Sequence, residues 1–369
     1  MHPQSAENQQ FADGETTASE ARKFIREEWN SPRPDVMLHT SGSTGTPKQM
    51  AASKQRMLES ARITCDFLGL QPNDTALLCL STQYIAGKMM VVRSLQRSIK
   101  LCCVEACGHP LSSDNLCRME TLLPEEAANE PIRMSDIALC AMVPLQAYNS
   151  LQVDEEARRL AQIRHLIIGG GAIDHRLARL LRPLPNAVYS TYGMTETLSH
   201  IALRRISGPD ATELYTPFSG IDLDLDARGC LVIHAPHLAD APIVTNDVAE
   251  LVPPSRSGEP TRFKILGRAD NVICSGGIKL HAEQLEEQLA PHLNMPLLIT
   301  KKTDEKFGEA VVLFIEATDD MLPQVRDICQ KALPKYAQPR HIVCLQQLPR
   351  TPNGKPARRE AQQIAEEKV

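Results

Sequence analysis

No stretch of this sequence reaches the roughly eighteen apolar residues in a row that a membrane-spanning helix needs, so no span is expected. An excess of charge of one sign is missing as well. Lys and Arg number 40 against 45 Asp and Glu, and the net charge of −5 gives no general attraction for nucleic acid or an anionic membrane. The N-terminal residues are polar and acidic and lack the charged-then-apolar order of an export signal. The 11 cysteines show no paired spacing; they sit in apolar runs such as "ALLCL" and "KLCCVEACGHP" and read as reduced core thiols. Internal repeats and low-complexity tracts are absent too. These absences lead to the expectation of a cytoplasmic enzyme.

What is present is a chain of 369 residues, 42% hydrophobic and 23% charged, an ordinary globular composition with the length for two domains. Residues 1–34 lead into one amphipathic helix, "EARKFIREEW", with Phe24, Ile25 and Trp29 as its apolar stripe. Beyond it, strand-like runs ("DTALLCL", "SIKLCCVEA", "IALCAMVP", "HLIIGG", "NAVYSTY") alternate with helical ones ("KQRMLESARITCDFLG", "LQAYNSLQ", "DHRLARLLRP"). That alternation predicts a large α/β N-terminal domain with open sheets, over residues 1–267. "GIDLDLDARGCLVIHAP" within it reads as two strands around an Ala-Arg-Gly turn. From "ILGRADN" onward a helix, a strand, a helix and a strand ("HAEQLEEQLAPH", "EAVVLFIEA", "MLPQVRDICQKAL", "HIVCLQQL") predict a small α+β C-terminal domain over 268–369.

Two apparent metal motifs fail on inspection. "DLDLDARG" begins like a calcium loop, but Ala227 and Ile233 stand where its glycine and its bidentate glutamate belong. Cys102, Cys103, Cys107 and His109 lack the C-x2-C spacing of a zinc site, and core packing is the better reading.

The segment "LHTSGSTGTPKQ" is different. It packs hydroxyls and glycines between a strand-like lead (Val36, Met37, Leu38) and Lys48. Serial backbone N–H groups in a glycine-rich turn cradle anions, and Ser and Thr hydroxyls add donors, so phosphate is the expected guest. The Walker pattern fails, because Gly45 is followed by Thr and Lys48 by Gln. Further on, "STYGMTET" places Tyr192 beside Gly193, then Thr195 and Glu196: an aromatic for a purine face and a carboxylate for a Mg2+ shared with phosphate oxygens. "VTNDVAEL" offers Asp247 to ribose hydroxyls.

These segments, followed in order by "LGRADNVICSGGIKLHAEQLEE" and "LPRTPNGKPARRE", resemble the adenylate-forming superfamily of acyl-CoA synthetases, luciferases and peptide-synthetase adenylation domains, from about Val36 to Glu360. The resemblance implies two half-reactions: a carboxylate attacks the α-phosphorus of ATP and expels pyrophosphate, then a thiol, usually that of coenzyme A, displaces AMP. It implies that Thr40, Ser41, Gly42, Ser43, Thr44, Gly45 and Lys48 hold the β- and γ-phosphates. Thr195 touches the α-phosphate and Glu196 binds Mg2+. Gly169, Gly170, Gly171 and Tyr192 frame the adenine, Asp247 with Arg268 the ribose, and Gly193 belongs to the same cofactor-binding set. Lys355 in "PNGKPARR" is the adenylation lysine, bridging carboxylate and α-phosphate. Asp270 is the hinge on which the small, mobile domain turns, presenting Ser275, Gly276 and Gly277 to the thioester step. The implied partners are a small-molecule carboxylic acid, ATP and coenzyme A, with no nucleic acid and no membrane span; a homo-oligomer is compatible with them.

Departures from the family pattern are visible. Asn246 replaces the usual glycine before the ribose aspartate, and Tyr84 stands where a histidine is frequent. The phosphate loop also begins far earlier in the chain than in relatives, which implies a cut-down first subdomain and leaves open whether a partner subunit replaces it. For the acid, "YGMTET" followed by "SHIAL", with Ser199 and His200, is similar to the o-succinylbenzoate–CoA ligases of menaquinone synthesis. In "YIAGKMMVVRSL", Arg93 aligns with an arginine that those ligases place near the distal carboxylate of a dicarboxylic substrate, and Lys88, about one turn earlier, is its rival. A buried carboxylate without a partner is costly, so a cation belongs there. Tyr84, Lys88, Arg93, Ser199 and His200 are the expected acid-binding set.

Overall fold

The computed structural model describes residues 16–39, 49–124, 132–254, 256–350 and 356–368. They fall into two compact units. The first holds the described residues up to Gly170 together with Leu184–Pro209; the second holds Gly171–Pro183 and the residues from Asp210 onward.

The first unit opens with α1 (Thr17–Lys23), whose first turn is capped by Thr16 Oγ1 accepting from the Ser19 N–H at 3.1 Å. The helix expected over "EARKFIREEW" forms, but its second half, Phe24–Trp29, is a π-helix. The physical reason lies in the spacing of its aromatics. Residues five apart diverge around an α-helix, whereas the wider π-turn brings them together, and the Phe24 and Trp29 rings lie 6.1 Å apart.

A hairpin of β1 (Asp35–His39) and β2 (Gln49–Ser53) precedes α2 (Lys54–Phe67). The main sheet of the unit follows: β3 (Thr75–Leu78), β4 (Lys100–Cys103), β5 (Glu120–Leu123), β6 (Ile137–Met142), β7 (His165–Ile168), β8 (Ala187–Gly193) and β9 (His200–Arg205). Within the unit the spatial order is β9-β8-β7-β6-β3-β4-β5. The pairs β3–β4, β3–β6, β6–β7 and β7–β8 are parallel; β4–β5 and β8–β9 are antiparallel. Helices α3 (Ile85–Arg97), α4 (Ser113–Leu116), α5 (Pro144–Leu151) and α6 (Asp154–Leu160) connect the strands. Every residue of β3 and β6 is buried, as the run of apolar residues predicts for parallel strands covered on both faces. Cysteine follows the same logic only in part. Cys79 and Cys140 face each other across β3 and β6 with sulfurs 3.8 Å apart, and Cys65, Cys102 and Cys103 are buried, but Cys107, Cys117 and Cys274 are exposed rather than core.

The strand order matters for function. Counting outward from β3, the chain goes to β4 on one side and to β6, β7 and β8 on the other, so the sheet changes direction beside β3. In open parallel sheets ligands bind beyond the carboxyl ends of strands at such a reversal.

The second unit contains α7 (His175–Leu181), capped by Asp174, and a short strand β10 (Thr216–Pro217). An antiparallel sheet follows, in the order β11 (Asp222–Leu225), β12 (Cys230–His234), β13 (Ile243–Val252) and β14 (Arg262–Arg268). "DLDLDARG" is indeed strand and turn: Asp226 accepts from the Arg228 and Cys230 N–H groups, at 2.8 and 2.9 Å. The C-terminal sheet comprises β15 (Val272–Ser275), β16 (Ile278–His281), β17 (Leu297–Asp304), β18 (Gly308–Glu316) and β19 (His341–Leu345), with α8 (Ala282–Leu289), α9 (Leu322–Ala332) and α10 (Arg358–Lys368). Period-two alternation divides its two cores. Ile299, Val311, Leu313 and Ile315 join Leu285, Val325 and Cys329, while Leu298, Val312 and Phe314 join Ala361 and Ala365. A half-buried ion pair ties this subdomain together: both terminal nitrogens of Arg358 donate to Glu286, at 2.9 and 2.8 Å, and Glu286 also accepts from the Ile299 N–H at 2.7 Å.

Among the described residues no helix is long and apolar enough to cross a membrane.

Candidate active site

In the first unit the expected residues collect beyond the carboxyl ends of β3, β7 and β8. Strand β7 runs into Gly169, where a Cβ would stand 2.4 Å from Thr191 Oγ1, and Gly170, with φ +78°. Both positions therefore require the absence of a side chain, one for space and one for backbone conformation. At the end of β8 the chain doubles back so tightly that a Cβ on Gly193 would lie 2.3 Å from the Ser199 carbonyl oxygen. The doubled segment is held from inside. The Met194 N–H donates to Thr197 Oγ1 at 2.9 Å, the Thr197 hydroxyl reaches the Ser199 carbonyl at 2.6 Å, and Leu198 is forced to φ +62°. Thr197 and Leu198 are buried, and the same turn leaves Glu196 exposed and Thr195 half-buried.

Helix α3 carries the rest of the expected acid-binding set. Tyr84 precedes its first turn and is 60% exposed, and a Cβ at Gly87 would sit 2.2 Å from the Ser81 carbonyl, so the helix start is pressed against the end of β3. Lys88 and Arg93 are both buried but differently partnered. Lys88 Nζ lies 2.5 Å from Glu28 Oε2 and 4.6 Å above the Phe24 ring. Arg93 has no such anion: one terminal nitrogen donates to Ser199 Oγ at 2.6 Å, the other reaches only the Met90 sulfur at 3.8 Å, and Nε has no partner among the described residues. Burial alone pulls the Arg93 guanidinium down to about 10, so it stays charged at neutral pH. His200 is buried behind it. Desolvation first, and the Arg93 charge second, hold the imidazole well below its ordinary range, hence neutral.

In the second unit Asp247 and Arg268 face each other across β13 and β14, with Arg268 donating to Asp247 at 3.1 Å and to Asp270 at 3.2 Å. Asn246, where a glycine is usual, accepts from Arg228 at 2.9 Å. Just before the expected hinge, Gly267 adopts φ +149°, and a Cβ there would stand 2.4 Å from Glu283 Oε2. Asn271, just after it, donates to the same Glu283 at 2.5 Å. Ser275, Gly276 and Gly277 close the β15–β16 hairpin, with positive φ at both glycines and nothing within 4 Å of a Cβ on Gly277. Gly171 begins the stretch grouped with this unit. The expected phosphate-loop residues Thr40, Ser41, Gly42, Ser43, Thr44, Gly45 and Lys48, and the expected lysine Lys355, lie outside the described residues.

Sequence reading missed Thr64 and Glu283. Thr64 hides in the apolar stripe of α2, between Ala61 and Cys65, and its hydroxyl touches His200 Nε2 at 3.2 Å. Glu283 carried no signal beyond its place in an acidic helix.

Residues 3–232 match the family described as AMP-binding enzyme, and residues 300–355 match the AMP-binding enzyme C-terminal domain. The 2-succinylbenzoate–CoA ligase of Bacillus mycoides (strain KBAB4) is 23% identical over 374 residues, covering 94% of this chain and 73% of that protein. Of solved structures, an acyl-CoA synthetase (AMP-forming)/AMP-acid ligase II-like protein from Dyadobacter fermentans DSM 18053 is 31% identical, with TM-score 0.58, covering 93% of this chain and 92% of that one. The o-succinylbenzoate coenzyme A synthetase (MenE) of Bacillus subtilis, solved with ATP and a magnesium ion, superimposes with TM-score 0.64 at 18% identity, over 89% of this chain and 70% of that one.

Proposed function

Because the chain belongs to the AMP-binding enzyme family, we propose that it is an AMP-forming acid–CoA ligase, and that its acid is o-succinylbenzoate. The relatives bearing that activity in their names support the reading. The observation that carries the substrate is Arg93: a buried cation with no carboxylate partner among the described residues, on the helix that follows β3. A buried, under-bonded guanidinium is costly unless an anion completes it. The distal carboxylate of a dicarboxylic acid is such an anion, and a fatty acid has none to offer.

In the first half-reaction one carboxylate of the acid attacks the α-phosphorus of ATP and pyrophosphate leaves. Negative charge gathers on the phosphate oxygens, so positioned donors and cations carry the catalysis. Thr195 meets the α-phosphate, Lys355 bridges it to the incoming carboxylate, and Thr40, Ser41, Gly42, Ser43, Thr44, Gly45 and Lys48 hold the departing phosphates. Asp247 and Arg268 take the ribose. Glu196 is the single exposed carboxylate of its turn, and among the described residues no cluster of three metal ligands stands ready. One carboxylate completed by phosphate and water oxygens is a usual Mg2+ set, so these residues fit a Mg2+ that arrives with ATP. When bound, that ion supplies positive charge to the phosphate oxygens.

In the second half-reaction the thiol of coenzyme A attacks the acyl carbon and AMP leaves. Asp270 is the pivot, and the open backbone at Gly277 gives a pantetheine chain room to approach.

The test is AMP release dependent on both ATP and coenzyme A, run over a panel of acids: o-succinylbenzoate, benzoate, malonate and a fatty acid. The expected result is turnover of o-succinylbenzoate well above the monocarboxylic acids. Equal or better turnover of benzoate removes the distal-carboxylate reading.

A further inference from the structure

Behind Arg93 lies a line of hydrogen bonds that ends in main chain. Arg93 donates to Ser199 Oγ at 2.6 Å; Ser199 Oγ lies 3.3 Å from His200 Nδ1; His200 Nε2 lies 3.2 Å from Thr64 Oγ1; and the Thr64 hydroxyl reaches the Ser60 carbonyl, one turn back in α2, at 3.1 Å. All of these residues belong to the first unit. We propose that Thr64 and His200 are positioning residues: they fix the proton order of this line so that Ser199 turns a lone pair to Arg93, whose remaining N–H groups are thereby aimed at the substrate's second carboxylate. The proposal rests on the o-succinylbenzoate reading for its substrate, but not for its proton order.

The order follows from counting protons. A threonine hydroxyl has one proton and two lone pairs. In a helix that proton goes to the carbonyl four residues back, here Ser60, which leaves Thr64 Oγ1 as an acceptor facing His200. His200 must then carry its proton on Nε2 and present a bare Nδ1 to Ser199. The Ser199 proton goes to that nitrogen, and its oxygen is free to accept from Arg93. Reversing the tautomer would aim both His200 and Arg93 as donors at one hydroxyl. Burial of His200 beside a cation keeps it neutral, as this order requires. The guanidinium is thus held by a neutral acceptor, and none of its charge is neutralised before the acid arrives. A carboxylate at the Ser199 position would hold Arg93 equally well and would compete with the substrate.

Two measurements test the proposal. Thr64→Val keeps the shape and deletes the hydroxyl, so the KM for o-succinylbenzoate should rise about tenfold, the loss expected when a hydrogen bond supporting a charged group goes. The KM for ATP and kcat should stay within about twofold, and Thr64→Ser should restore the parent KM. An unchanged KM in Thr64→Val, in an enzyme where Arg93→Ala raises it, overturns the positioning role and leaves the substrate reading standing. Nitrogen-15 spectra of the histidines supply a readout independent of turnover: His200 should be the Nε2–H tautomer in the intact protein and lose that preference in Thr64→Val. An Nδ1–H tautomer in the parent overturns the proposal whatever acid the enzyme accepts.

Discussion

Lys88 Nζ is 2.5 Å from Glu28 Oε2, an ion pair between α3 and the π-helical segment that follows α1. Five residues along α3 places Arg93 roughly 140° around the helix from Lys88, at 3.6 residues per turn, and there it meets Ser199 instead of an acid. One helix thus buries two cations, one paired with a carboxylate and one without a carboxylate partner among the described residues. Arg93→Ala should raise the KM for o-succinylbenzoate tens-fold or more, since truncating one partner of a desolvated charge pair costs roughly 2–5 kcal/mol, with little change in the KM for ATP. Arg93→Lys should recover only part, because an ammonium lacks the planar fork. Lys88→Met should leave the KM for the acid within about twofold, since the Lys88 charge is already taken up by Glu28. Initial rates with each substrate varied in turn decide the matter, and an Arg93→Ala enzyme with the parent KM would sink the assignment.

Lys355 is expected to serve adenylation alone. Lys355→Ala should lose pyrophosphate exchange almost completely, yet convert synthetic acyl-adenylate and coenzyme A to the thioester at near-parental rates. Equal loss in both assays would count against that role.

Asp270 lies in the short 3-10 turn Ala269–Asn271, directly after the Gly267–Arg268 end of β14. Asp270→Pro locks φ and pushes Ala269 out of helical conformation. Adenylation should persist while transfer to coenzyme A falls. Normal rates in both half-reactions would show that the pivot lies elsewhere.

Arg358 and Glu286 form a half-buried pair of the C-terminal subdomain, and desolvation raises the Glu286 carboxyl despite its partner. Arg358→Met should destabilise by about 1–3 kcal/mol, because it strands a half-buried carboxylate without its charged partner. Glu286→Leu combined with Arg358→Met should regain much of the loss. Urea unfolding of the single and double variants measures both, and additive losses would contradict the pairing.

His165 carries the pH prediction. Burial, with Arg164 and Arg205 nearby, lowers its imidazole from the ordinary 6.5 to about 4. Between those values the unfolded chain binds the proton and the folded one does not, so its contribution is present above pH 6.5 and is lost as pH falls toward 4. Stability should therefore decline on acidification through that window, and His165→Phe should flatten the decline. Denaturation midpoints at pH 7 and pH 5 supply the comparison; an identical slope in parent and variant would exclude His165 as a source.

What the sequence determined by itself was local and periodic. The apolar runs of β3, β6 and β18 and the order of the glycine, hydroxyl and carboxylate segments each follow from neighbours along the chain, and they were enough to reach fold class, family and candidate residues. The helix over residues 20–29 was legible too, but not its π geometry, which packing of Phe24 against Trp29 selects. Nothing local distinguishes Lys88 from Arg93 as the cation proposed for the substrate; both are basic residues on one apolar helix. Glu28 makes the distinction by reaching Lys88 from a segment 60 residues earlier, and Ser199 and His200 by arriving at Arg93 from more than a hundred residues later. Thr64 read as one more small residue in an apolar stripe until folding set it against His200 from 136 residues away. Periodicity reports which face of an element is buried, but the partner each buried polar atom finds there depends on contacts between distant segments, and only the tertiary structure supplies those.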